Sequence, residues 1–191
     1  MTTTIFILEK VLIVFSLLLL ADFVTGIIHW LEDTYGNPNW PIIGKYIIIP
    51  NLEHHKNPRS LLSGNYWNRV DTSVYAACSI GIFCYLSGYM CWQLFTFLLI
   101  ASQGNEFHAI AHRNTDENGY WLTRLQKIGL IQTRKTHGWH HKAPYETNFC
   151  VMTEFLNPLV NRIHFWNTIE KILLKIFGIK ILRGSDIRGG I

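Results

Sequence analysis

The chain has 191 residues, of which 49% are hydrophobic and only 16% charged, whereas soluble domains run near a quarter charged. With 7 Trp, 8 Tyr and 11 Phe, this composition argues against an ordinary soluble domain and for an integral membrane protein with aromatic residues at the water–lipid boundary. The net charge of +4 is spread without a long basic run, which argues against nucleic acid as a partner and for positive charge on the cytoplasmic side of a membrane.

In chain order, the first predicted element covers residues 11–30, with Asp22 its only charged residue. Twenty helical residues make about 30 Å, enough to cross a bilayer core. The segment outruns a signal-peptide core and lacks a small-residue cleavage site, so it reads as a retained anchor. Gly and two Pro in "YGNPNWP" then break any helix. "IIGKYIIIP" (42–50) is too short to span and is expected in the interface. Second and third spans are expected at 71–86 and 90–112, joined by the uncharged hairpin "SGYMC". "HRNTDENG" reads as a loop and "YWLTRLQKIGLI" as a short interfacial segment. Residues 165–177 repeat apolar positions at helical spacing (Phe165, Ile169, Ile172, Leu173, Ile176), predicting an amphipathic helix capped by Gly178. The tail 183–191 is expected to be mobile. The expectation is therefore one all-α domain, 1–191. It would be a membrane bundle of three to four transmembrane helices with interfacial and amphipathic helices.

Of the 17 Lys and Arg, 16 fall after the first span or after the third, and the hairpin tip has none. The positive-inside rule places both of those segments in the cytoplasm. All nine histidines lie on that side or at helix ends facing it. Cys78, Cys84, Cys91 and Cys150 form no CxxC pair and read as small buried hydrophobes.

The histidines fall into clusters: His29; His54 and His55; His108 and His112; His137, His140 and His141. His164 stands apart and reads as structural. In the first span Asp22, Gly26, His29 and Asp33 are spaced 4, 3 and 4, so they share one helix face; Asn105, His108 and His112 do the same in the third. A carboxylate deep in a bilayer costs roughly 2.5 kcal/mol or more, so Asp22 must point into the protein. The spacing H-x-x-x-H lets two imidazoles of one helix approach one metal. Adjacent histidines diverge by about 100° in a helix, which suits two neighbouring metals. Eight imidazoles exceed the four positions of one tetrahedral zinc. Imidazole suits Zn, Cu, Fe and Ni alike, so the ligand type leaves the metal open.

The segments "ADFVTGIIHWLEDTYG", "EHH", "NEFHAIAH", "RKTHGWHHKAPYETNFC" and "LNPLVNRIHFW" together resemble one known family. It is the membrane lipid desaturases, which include plasmanylethanolamine desaturase, bacterial light-signalling relatives and the plant plastid desaturase acting on phosphatidylglycerol. The resemblance implies a two-iron, O2-dependent desaturase with His29, His54, His55, His108, His112, His137, His140 and His141 as ligands. It also implies a phospholipid substrate, made into a plasmalogen by members acting on ether lipids, and an electron donor such as cytochrome b5 or a ferredoxin. Where some relatives carry histidine, this chain has Thr136 and Tyr145. Further candidates are Glu146 as a carboxylate orienting a ligand imidazole, Asp33 in that role or as a ligand, and Asp22 and Asn105 as supports. Arg134, Lys135 and Lys142 are candidates for the headgroup phosphate, or ordinary positive-inside charges. The expected membrane is the endoplasmic reticulum in a eukaryote and the inner membrane in a bacterium. Rival expectations are an acyl-chain desaturase and, from another class, a metal transporter or sensor. The latter would carry ionisable residues near the bilayer midplane.

Overall fold

The structure is a computed structural model, and it describes residues 3–183; the rest of the expected mobile tail lies outside the described residues. Regular structure among the described residues is entirely helical.

Helix α1, Thr3–Tyr35, has two halves of different chemistry. Its first half presents Ile5, Phe6, Leu8, Val11 and Leu12 outward. Its second half buries Asp22, Gly26, His29, Trp30, Asp33 and Thr34. Among the described residues it is the one helix long and apolar enough to cross a membrane. A π-helical stretch, Gly44–Ile48, leads into α2, Ile49–Lys56. Pro50 is accommodated in the first turn of α2, where an N–H would lack an intrahelical partner anyway.

Helix α3, Tyr66–Leu86, starts ahead of the expected 71–86 span because Asn65 and Asn68 form a reciprocal capping box around its first turn. The expected third span is not one helix. It is α4, Trp92–Ala101, and α5, Gly104–His112, separated at Ser102 and Gln103. The Ser102 hydroxyl donates to the Leu99 carbonyl at 2.8 Å, a local bond that competes with the helical ladder. The expected loop after His112 is also corrected. Asn114 and Glu117 form a capping box that starts α6, Thr115–Lys127, which kinks at Gly119. The box outweighs the polarity that suggested a loop, because it satisfies the first free N–H groups of the helix.

Helix α7, Arg134–His140, is capped by the Thr133 side chain, which accepts from the Thr136 N–H. Helices α8, Leu156–Arg162, and α9, Phe165–Phe177, complete the chain. Helix α9 matches the amphipathic expectation and ends at Gly178 with φ 67°. It seats Trp166 and Glu170 inward and leaves Ile172 and Ile176 exposed. His164, at the joint between α8 and α9, is exposed and away from the other histidines.

The segment 148–153 runs across the buried half of α1. Asp22 accepts from the Met152 N–H at 2.9 Å, the Thr153 N–H at 2.9 Å and the Thr153 hydroxyl at 2.6 Å. Gly26 permits this approach, since a Cβ there would lie 2.8 Å from Cys150 Sγ and 3.2 Å from its Cα. Trp30, Phe149, Cys150, Val160 and Trp166 form the core beneath. The ends of α1, α2, α5 and α7 are thereby drawn together.

Candidate metal centre

The eight clustered imidazoles meet in one buried region and divide into two ligand groups. One comprises His54, His108, His112, His137 and His141; the other comprises His29, Asp33, His55 and His140. Within each group the ligand atoms lie within 4.8 Å of one another. Both adjacent pairs split between groups: His54 from His55, and His140 from His141.

In the five-histidine group the Nε2 atoms form a chain of contacts. His112 to His54 is 3.1 Å, His54 to His108 3.0 Å, His108 to His137 2.9 Å, and His137 to His141 3.0 Å. A ring nitrogen carries one in-plane proton or one lone pair. His54, His108 and His137 would each need to serve two partners with a single orbital. A shared ion resolves the conflict, because every lone pair then points at one centre. The spacing fits as well: donors about 2.1 Å from a metal stand about 3 Å apart in an octahedral arrangement.

In the second group three imidazoles converge on one carboxylate. Nε2 of His55 is 2.9 Å from Asp33 Oδ1, while Nε2 of His140 and of His29 are 3.1 and 3.4 Å from Oδ2. Two of these rings have their tautomer set by backbone. The carbonyls of Phe149 and Thr147 can only accept, so Nδ1 of His29 (3.1 Å) and of His140 (2.9 Å) must donate. The Nε2 lone pairs of both then face the group, the state in which imidazole binds a metal. Asn51 Nδ2 donates to Asp33 Oδ1 at 2.6 Å and orients the carboxylate. Burial, reinforced by neighbouring imidazoles, pushes His54 and His137 well below the usual histidine range and His141 down to about 2. Neutral rings are the form a metal requires. The donor set fits two cations.

The other candidates are placed as follows. Asp33 stands among the ligand atoms. Asp22 is fully buried but serves the 148–153 segment. Asn105 donates to the Arg69 carbonyl at 2.9 Å, joining α5 to α3 rather than facing the imidazoles. Glu146 lies 3.7 Å from Arg183, and the imidazole-orienting role considered for it falls to the two backbone carbonyls. Tyr145 sets its ring edge-on to His55, with centroids 5.2 Å apart. The Thr136 hydroxyl pairs with that of Thr133. Arg134, Lys135 and Lys142 line a groove of about 540 Å³ on the outer side of α7, with Gly138 and Trp139. Lys142 sits over the Trp139 ring at 4.0 Å, and Arg134 bonds Asn114.

Sequence reasoning passed over Asn51 and the carbonyls of Thr147 and Phe149. Asn51 had a signal, one helical turn before His54 and His55. Backbone carbonyls carry none.

An all-helical chain that buries two adjoining imidazole-rich ligand groups has the build of a metalloprotein. The chain belongs to the lipid desaturase domain family, whose description matches residues 18–182. It is thereby placed among oxidoreductases of lipid metabolism. A probable fatty acid desaturase of Acanthamoeba polyphaga mimivirus is 34% identical to it, over 85% of this chain and 81% of its own length. Plasmanylethanolamine desaturase 1 of Mus musculus is 32% identical over 89% of this chain, and fatty acid desaturase 4-like 1 of Arabidopsis thaliana chloroplasts is 30% identical over 84%. The chain spans 66% of the mouse relative and 55% of the plant one. No solved structure matches it.

Proposed function

We propose that the protein is an O2-dependent desaturase that holds two iron ions and introduces the vinyl ether double bond into plasmanylethanolamine, a 1-O-alkyl glycerophospholipid, forming a plasmalogen. The observation that carries this reading is the split of each adjacent histidine pair between two ligand groups. One metal would not need it; two neighbouring metals do. The net change is R–CH2–CH2–R′ + O2 + 2 e⁻ + 2 H⁺ → R–CH=CH–R′ + 2 H2O. Two bound irons supply the O2 activation that removal of hydrogen from an unactivated C–H bond requires. Asp33 and the five-histidine group hold cations in place with little negative charge, and Asn51, Phe149 and Thr147 keep the donors aimed. Burial of His137 and His140 excludes water from the reacting region.

The long apolar helix α1 anchors this centre to a membrane, so that the alkyl chain enters from the lipid. The chain is multi-pass, in the endoplasmic reticulum or a bacterial inner membrane, with the histidines facing the cytoplasm. Arg134, Lys135 and Lys142 bind the headgroup phosphate on the outer side of the helix that carries His137 and His140 and ends at His141. Electrons come from cytochrome b5 or a ferredoxin-like donor. A second reading keeps the chemistry and changes the substrate to a phospholipid acyl chain; the viral and plant relatives, which are named fatty acid desaturases, favour it.

The test is expression in a plasmalogen-free host fed alkylglycerol, with lipid mass spectrometry. Acid-labile vinyl ethers that vanish in His108→Ala and His141→Ala support the first reading. A new acyl double bond selects the second. Unchanged lipids in cells that contain folded, iron-loaded protein would sink both.

A further inference from the structure

Arg183 is buried although it stands at the end of the described chain, with its side chain 7% exposed. Its Nη1 donates to Thr34 Oγ1 at 2.8 Å and to Glu170 Oε1 at 3.1 Å, and its Nη2 to Glu170 Oε2 at 3.2 Å. Nη2 also lies 3.7 Å from Glu146. The backbone joins in: the Leu182 and Arg183 N–H groups reach the Thr34 carbonyl at 2.8 and 3.3 Å. Glu170 in turn accepts from Trp30 Nε1 at 2.9 Å. One guanidinium thus ties together the last turn of α1, helix α9 and the loop after α7. That last turn carries Asp33, one turn beyond His29 on the same helix face, and the loop carries the Thr147 carbonyl that sets His140. All three of those ligands belong to the same group, the one with the carboxylate.

We propose that Arg183 is a positioning residue for the His29–Asp33–His55–His140 group, clamping Asp33 and His140 in register without touching either. This rests on the two-metal reading above. A lysine could not replace it, since a single ammonium cannot span Thr34 and both Glu170 oxygens in the geometry of a planar fork. The five-histidine group hangs on α2, α5 and α7 and has no bond to Arg183.

The test compares full-length wild type, Arg183→Ala and Arg183→Lys in detergent. Bound iron is counted, and metal-stripped protein is then titrated with Co2+ and followed by visible absorption. Wild type should take two equivalents. Arg183→Ala should take one tightly and the second at least tenfold more weakly, with the missing absorption that of the carboxylate-containing site, and Arg183→Lys should fall between. Two equally tight equivalents in Arg183→Ala, or equal weakening of both, would overturn the assignment, the second result marking a merely structural role. Wild type that binds no metal would overturn the two-metal reading and this inference together, an outcome the wild-type arm reads separately.

Discussion

His54 and His55 are neighbours in the chain and serve different ligand groups: Nε2 of His54 lies 3.0 Å from Nε2 of His108, whereas Nε2 of His55 lies 2.9 Å from the Asp33 carboxylate. His140 and His141 repeat the division, with His140 beside Asp33 and His141 beside His137. Helix α2 and the C-terminal end of α7 therefore each contribute one ring to each group, which couples the two sites.

The division makes single substitutions separable. His55→Ala and His140→Ala should each remove the ion of the carboxylate-containing group, and His54→Ala and His141→Ala the other. Metal content should fall from about two per chain towards one in each, with desaturation reduced by about 100-fold or more, since even outer partners of ligands are worth 10–100-fold. Elemental analysis of the purified variants checks it; equal loss of both ions from all four would argue for one cooperative site.

Asn51→Leu should weaken metal binding at the Asp33 group by about 10- to 100-fold while the chain stays folded. The amide touches the carboxylate, not an imidazole, so the five-histidine group should bind as before. Competition with a chelator distinguishes the two.

Asp22→Asn should be a stability variant. The carboxylate accepts three bonds from Met152 and Thr153 in a fully buried position. An amide offers one oxygen and turns an N–H₂ toward donors, so the loss should be about 1.5–3 kcal/mol. Thermal unfolding in detergent should show it, and an unchanged melting temperature would mean that the 148–153 segment is held otherwise.

The metal-stripped protein should lose stability on acidification. His54, His137 and His141 are held below the usual histidine range by burial and by each other, His141 at about 2. Below about pH 6.5 the unfolded chain takes up protons that the folded chain refuses, so stability is full above that pH and falls as the pH drops towards the folded values. The ceiling is about 1.4 kcal/mol per pH unit for each ring. Melting temperatures should hold between pH 7.5 and about 6.5 and decline from there to about pH 5; a profile flat down to that pH would show that these rings protonate in the folded state.

Helix periodicity made the polar stripe of α1 legible, because Asp22, Gly26, His29 and Asp33 repeat at helical spacing whatever they pack against. The amphipathic α9 and its Gly178 cap were legible for the same reason, being local. The interruption between α4 and α5 was passed over although Ser102, Gln103 and Gly104 mark it in the sequence, because the flanking residues continue the helical spacing on both sides. The α6 start could have been read from Asn114 and Glu117, a capping box hidden in a polar stretch.

What the order of residues determined by itself was the number of imidazoles and, from the pitch of a helix, their grouping on helix faces and the divergence of His54 from His55. The partition into a five-histidine group and a carboxylate-containing one was decided only by tertiary structure. It depends on the orientation of α2, α5 and α7 about α1, and that orientation is set by contacts far apart in the chain, such as Cys150 seated on Gly26 and Thr153 bonded to Asp22.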